Sequence, residues 1–180
     1  MTEFKEFPKI HRLNRQIIVT EKLDGTNSQL FIGEDGDFLT GSRTRWITPE
    51  QDNYGFSRWA HEHKDELMEL GPGSHFGEWW GQGIQRKYGL NEKRFSLFNV
   101  SRWGKKRPVC CHVVPILYEG LFSESTIKLT IENLRAHGSV ASPEFMNPEG
   151  VVIFHTQGYF ALKVTLKNDE ISKQEAKQSA

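Results

Sequence analysis

The sequence predicts an α+β domain built on antiparallel sheets, and three observations carry that expectation. Only two stretches show helical apolar spacing, most of the remainder reads as short strands, and two strand pairs close as hairpins with legible turn chemistry. At 180 residues the chain has room for one domain with a substantial core, and not for two. Its 37% apolar and 12% aromatic content is that of an ordinary water-soluble protein. No apolar run approaches the roughly 18 residues of a membrane span. The amino terminus lacks a signal-peptide pattern, so the expected location is cytoplasmic with no membrane contact.

In chain order, the first hairpin is FIGEDGDFLTGSR, from Phe31 to Arg43, with Asp35-Gly36 as a favoured two-residue turn. Pairing Glu34 with Asp37 would bring Arg43 opposite Ser28, close to the EKLDGTN stretch at Glu21 to Asn27. A helix follows from about Tyr54 to Leu70, on the spacing of Phe56, Trp59, His63, Leu67 and Leu70, and stops at Gly71-Pro72. His61 and His63 lie two apart on that helix, so they share no face and are not a metal pair. His75, His112 and His155 have no evident partners and read as structural. Trp79, Trp80 and Trp103 read more readily as packing than as base-stacking platforms. The two cysteines, Cys110 and Cys111, are adjacent, which suits neither a disulfide nor a metal site.

Zero net charge argues against a uniformly basic coat. Between Arg86 and Arg107, however, eight basic residues face the single acid Glu92, with Tyr88 and Trp103 among them. Such a stretch is either a phosphate-backbone contact surface or a solvated loop face. A second helix is expected from an N-cap at Ser123 to His137, ending at Gly138. The last hairpin is EGVVIFHTQGYFALKVTLK. Val152, Phe154, Phe160, Leu162, Val164 and Leu166 form one apolar row, while Glu149, Lys163, Thr165 and Lys167 fall on the other parity. If that apolar row is the core face, the loop must be odd in length. Thr156-Gln157-Gly158, with Gly158 left-handed, satisfies this and sets Glu149 across from Thr165, between Lys163 and Lys167. Residues 168–180 are expected to be a polar tail outside the domain.

Lys-x-Asp-Gly alone is a weak signal, found by chance in roughly one chain in 25 of this length. Its company is specific. After EKLDGTN come Ser42-Arg43, FGEWWG at Phe76 to Gly81, FSLFNV at Phe95 to Val100, PEGVVI from Pro148 and FALKV from Phe160. This ordered set, over about residues 15 to 167, resembles the covalent nucleotidyltransferase superfamily of ATP-dependent RNA ligases, DNA ligases and mRNA capping enzymes. Within it the chain looks most like the RNA ligase branch that seals nicks. Asn27 stands where DNA ligases typically carry an arginine, and only about a dozen residues follow Lys167. The expectation is therefore a compact nucleotidyltransferase domain over residues 1–167, of antiparallel sheets flanked by helices, without the OB-fold domain of DNA ligases and capping enzymes.

The resemblance implies a three-step reaction. A lysine amine, Lys22, attacks the α-phosphate of ATP and expels pyrophosphate. AMP then passes to a 5′-phosphate on RNA, and a 3′-hydroxyl displaces it to seal the strand. It implies Lys163 as a second catalytic group and Lys163 and Lys167 as phosphate-side cations. Glu149 is the expected ligand of Mg²⁺ or Mn²⁺. Glu78 is expected on the ribose, Phe98 on the adenine, and Arg43 on the sugar-phosphate side. Backbone groups of Glu21 and Lys22 are expected at the base edge, with Asp24 and Asn27 shaping the nucleophile loop or the surroundings of the leaving pyrophosphate. Read from the residues alone, Phe98 is equally a buried strand position, and Arg45 competes with Arg43. The family's last motif usually reads Lys-x-Lys. Here it reads Lys163-Val164-Thr165, so Lys167 would have to substitute. Two other readings stay open: a DNA-joining or other nucleotidyltransferase with the same lysyl-AMP step, and a nucleotide-binding module with reduced catalysis. ATP rather than GTP rests on the resemblance, and a protein partner is a further possible source of substrate grip.

Overall fold

The computed structural model describes residues 2–167, 169 and 170. Two sheets carry the molecule. The first has strand order β10-β9-β1-β8, from β1 (Gln16–Lys22), β8 (Ile116–Leu121), β9 (Gly150–His155) and β10 (Phe160–Thr165). The second has order β4-β3-β2-β5-β6-β7, from β2 (Thr26–Ile32), β3 (Phe38–Ser42), β4 (Trp46–Ile47), β5 (Gly73–Gly81), β6 (Lys93–Leu97) and β7 (Cys111–Val113). Every pairing is antiparallel except β6 with β7. The α+β expectation is met.

The helices cover the outer faces. Phe56, Ala60, Leu67 and Leu70 pack with Leu30, Ile32, Trp79, Phe95 and Leu97 behind the six-stranded sheet. Leu134 of α4 (Glu124–His137) packs with Ile17, Val19, Val151 and Ile153 behind the four-stranded sheet. Between the sheets, Ile18, Leu23, Trp80, Tyr88, Val100 and Val114 form a third cluster at the base of a cleft. Adjacent Trp79 and Trp80 serve opposite faces of β5, which is the alternation of a strand buried on both sides. Both are packing residues, as expected.

Alpha-4 starts where Ser123 Oγ accepts from the backbone N–H of Thr126 at 3.3 Å, and it ends at Gly138 with φ +81°, as the capping pattern predicts. The single helix expected over residues 54–70 is instead three pieces: α1 (Phe56–Glu62), α2 (Lys64–Leu67) and a 3₁₀ turn at Met68–Leu70. Its buried face is the predicted one, but His63 leaves helical geometry at φ −107° and ψ 18°. The carboxylate of Asp52 supplies the start, accepting from the N–H groups of Ser57 at 2.8 Å and Arg58 at 3.0 Å.

Both hairpins differ from expectation by one residue of register. In the first, Ser28 faces Ser42, and the loop is Glu34-Asp35-Gly36 with Gly36 at φ +89°. A three-residue loop with a left-handed glycine competes with the two-residue turn on the same Asp-Gly pair. In the second, His155 pairs with Phe160 and Lys163 with Val152, across the four-residue loop 156–159. Tyr159, not Gly158, is left-handed there, at φ +53°. That slip exchanges faces. The buried row of β9 is Val151, Ile153 and His155, while Val152 and Phe154 turn toward the cleft. Glu149 lies by Leu166, whose N–H donates to its carbonyl at 2.9 Å, rather than across from Thr165. The expected tail falls outside the described residues except for 169 and 170. No helix among the described residues is long and apolar enough to cross a membrane.

Candidate active site

Beta-1 belongs to one sheet and β2 to the other, so Leu23-Asp24-Gly25 carries the chain across the cleft directly after Lys22. Each residue of that crossing has a job. The Asp24 N–H donates to Tyr88 Oη at 2.8 Å, and the Asp24 carboxylate accepts from Arg86 Nε at 2.8 Å. The Gly25 N–H donates to Glu78 Oε1 at 2.9 Å. A Cβ at position 25 would lie 2.3 Å from the Trp79 carbonyl and 2.7 Å from Trp80 Cβ, so only glycine fits against β5. The Lys-x-Asp-Gly spacing is thus a device for holding a lysine at the mouth of a clamped loop.

Strand alternation aims Ile18, Thr20 and Lys22 into the cleft and Ile17, Val19 and Glu21 away from it. Lys22 is half-buried, and its Nζ donates to Glu149 Oε2 at 2.5 Å. Glu149, only 1% exposed, precedes the β9 residue Gly150 that pairs with Lys22. The sheet register therefore delivers these two residues together from 127 positions apart.

The cleft encloses about 1010 Å³, ample for a nucleoside triphosphate. Its lining contains Glu21, Lys22, Asp24, Asn27, Arg43, Glu78, Phe98 and Lys163. Asn27 and Glu78 are register partners on β2 and β5, with Asn27 Nδ2 donating to Glu78 Oε2 at 3.0 Å. Burial pushes the Glu78 carboxyl up to about 7, against the downward pull of the Gly25 N–H and the Lys22 charge. Phe98 leaves β6 before α3 (Val100–Trp103) and is 40% exposed, which separates the two readings of FSLFNV: Leu97 is core and Phe98 is cleft wall. Arg43 sits in the β3–β4 turn and reaches the lining, whereas Arg45 does not.

Two expectations are corrected, and the side chain of a further candidate, Glu21, serves the fold. The Glu21 side chain points to the back of the sheet, where it accepts from Ser139 Oγ at 2.6 Å and from the N–H groups of Val140 and Ala141. Burial still raises its carboxyl. It organises the segment after α4, and only its backbone is available to the cleft side. Lys167 lies outside the lining: β10 ends at Thr165, the chain turns, and Lys167 Nζ lies 3.4 Å from Asn147 Oδ1. The face shared by Glu149, Lys163 and Lys167 thus loses its third member. The basic stretch is also largely committed. Arg86 and Tyr88 clamp Asp24, Lys93 donates to the Tyr54 carbonyl, Arg94 pairs with Glu92, and Arg102 and Arg107 donate to the Leu70 and Cys111 carbonyls. Lys87, Lys105 and Lys106 remain exposed.

Several lining residues escape a sequence reading. Val152 and Phe154 are apolar and alternate, so they pass for core; only the hairpin register exposes them to the cleft. Tyr159 is 84% exposed at the rim, and Asn99 both lines the cleft and caps α3. The one sequence signal for the Arg86–Tyr88 clamp is the glycines around it, Gly81, Gly83 and Gly89, which mark a tight turn.

A divalent cation fits this site on one condition. Among the described residues no three carboxylate, histidine or cysteine side chains gather as a metal cluster. The buried carboxylate of Glu149 beside Lys22 suits an ion that arrives largely liganded by phosphate and water.

Comparison with known proteins agrees with this geometry. Three solved structures of Naegleria gruberi RNA ligase mutants superpose well: an apo form (20% identity, TM-score 0.64), one with AMP and Mn (19%, 0.64) and one with ATP and Mn (20%, 0.62). They cover 84%, 85% and 84% of this chain, which spans about half of each, namely 50%, 50% and 49%. At that identity they establish the shared fold. No curated protein matches the chain in sequence. Residues 15–168 match the RNA ligase family, and the chain belongs to it.

Proposed function

We propose that this chain is an ATP-dependent RNA ligase that works through a covalent lysyl-AMP on Lys22. The observation that carries the reading is a half-buried lysine aimed into a nucleotide-sized cleft and held at its tip by a buried carboxylate. In the first step the Lys22 amine, having lost its proton, forms a bond to the α-phosphorus of ATP, and the bond to pyrophosphate breaks. Lys163, two strands from Lys22 in the same sheet, lines the cleft and offsets the charge that builds on the phosphate oxygens. Glu149 keeps Nζ in line and would hold the divalent cation, whose chemistry is to polarise the phosphoryl oxygens and neutralise the leaving group. Glu78 takes the ribose hydroxyls, Phe98 the face of the adenine, and Arg43 the sugar-phosphate side. Asp24 and Asn27 act through the loop and through Glu78. In the second step AMP moves from Lys22 to a 5′-phosphate of RNA. In the third, a 3′-hydroxyl attacks that phosphate and AMP leaves.

The ATP and Mn of the Naegleria structures support the choice of nucleotide and of a divalent metal. The test is mass spectrometry after incubation with Mg²⁺ and ATP. Wild type gains one AMP, and Lys22→Ala gains none; an unmodified wild type, or a modified variant, overturns the reading. Nicked RNA and nicked DNA duplexes compared side by side then decide the acceptor, with RNA expected to seal faster. A second reading draws on the position of Lys167: with one lysine where the family motif has two, a chain that adenylates and seals poorly would be a reduced nucleotide-binding module.

A further inference from the structure

Lys22 and Glu149 meet where both of their segments leave the sheet, one into Leu23-Asp24-Gly25 and the other back into Asn147-Pro148. Backbone pairing of Lys22 with Gly150 brings them near but does not fix two loops relative to each other. A third segment does. Arg86 Nε donates to Asp24 Oδ2 at 2.8 Å, while Arg86 Nη1 donates to the carbonyls of Asn147 at 3.0 Å and Pro148 at 3.4 Å. One guanidinium thus touches the residue two after the nucleophile and the two residues before the carboxylate. Its side chain is 24% exposed and that of Asp24 10%, so water is a poor competitor for these contacts.

The turn that presents Arg86 is held for the purpose. Gln85, Lys87 and Tyr88 all adopt positive φ, at 43°, 61° and 50°, a conformation that L residues avoid and that persists only where surroundings enforce it. Tyr88 is the enforcement. It is 1% exposed, its ring lies 4.8 Å from Trp80 and 4.6 Å from Phe145, and its carbonyl accepts from Ser142 Oγ. Its hydroxyl accepts the Asp24 N–H, so the turn grips Asp24 through backbone and side chain together.

We infer that Arg86 is a positioning residue: it does not line the cleft, and it holds the Lys22 loop and the Glu149 loop in one register for attack on the α-phosphate. The inference rests on the lysyl-AMP reading above. Only a planar fork with donors on separate nitrogens serves one carboxylate and two carbonyls at once; a lysine ammonium would keep the charge beside Asp24 and lose the bridge. A misplacement of about 1 Å at a reacting centre is worth roughly 100-fold in rate.

The experiment is single-turnover formation of the AMP adduct at varied ATP, alongside thermal unfolding, for wild type, Arg86→Lys and Arg86→Ala. A wild type that forms no adduct overturns the lysyl-AMP reading itself. Given a reactive wild type, Arg86→Lys is expected to lose at least tenfold in the saturating rate, with the half-saturating ATP concentration and unfolding midpoint close to wild type. Added guanidinium should restore part of the rate to Arg86→Ala. An Arg86→Lys rate within twofold of wild type overturns the inference. So does a loss in which the rate and the midpoint fall and the half-saturating ATP concentration rises, without guanidinium rescue, which is the signature of a merely structural arginine.

Discussion

Glu78 shows how one buried side chain ties stability to recognition. Its carboxyl is raised from 4.5 to about 7 because burial disfavours the charged form more than the Gly25 N–H and Lys22 favour it. The folded state therefore binds a proton that the unfolded chain has released. This contribution to stability is fully present below pH 4.5 and is lost as pH rises through about 7. A shift of this size corresponds to on the order of 3 kcal/mol. Glu78→Gln should flatten that part of the profile, so its stability relative to wild type rises between pH 5 and pH 8. Urea unfolding at both values measures it, and equal pH dependence in the two proteins would refute the assignment. Single residues were legible in the sequence to the extent that their type was incongruous. A carboxylate alternating with Phe76 and Trp80, or a lysine followed by Asp-Gly, signals a local demand. Arg86 was not legible this way, because an arginine in a basic run looks like surface until the fold turns it inward.

At the scale of elements, the β9–β10 hairpin decides which lysine lines the cleft. Both Lys163 and Lys167 have the parity that a longer strand would place on one face. The strand stops at Thr165, where the Thr165 N–H and hydroxyl donate to Asp169 at 2.7 and 3.1 Å, and Lys167 is carried toward Asn147. Lys163→Ala should therefore slow adduct formation by about 100-fold or more, and Lys167→Ala by about threefold at most. Equal losses in a single-turnover assay would mean that Lys167 reaches the phosphates after all. The bounds of α4 were legible, since caps such as Ser123 and Gly138 are local physics, whereas the break at His63 and the short α3 were not. Register was not. A loop of three or of four residues satisfies the same composition at the 156–159 turn, and the choice between them inverts every side chain of the strand that follows.

For the molecule as a whole, the ligase proposed above needs a surface that grips RNA besides the cleft between the two sheets. Most of the basic stretch is spent on internal contacts, which leaves Lys87 and the loop bearing Lys105 and Lys106 exposed, the loop holding two of the three charges. Replacing both with Glu should weaken RNA binding by tenfold or more at low salt and flatten its salt dependence, with adduct formation unchanged. Filter binding across a salt series checks the first two, and the mass shift checks the third. Full affinity in the double variant would direct attention to another face or to a partner protein.

The order of motifs, the α+β class, the capped ends of α4 and the choice of the lysine proposed to react were all legible in local sequence, because each depends on a few neighbouring residues and their turn or cap chemistry. Which face of β9 lines the cleft, which of two lysines joins it, and that an arginine between β5 and β6 touches both loops were decided only by tertiary structure. Those outcomes depend on register and on contacts such as Arg86 with Asp24, made across 62 positions of chain, and no local pattern encodes a contact at that distance.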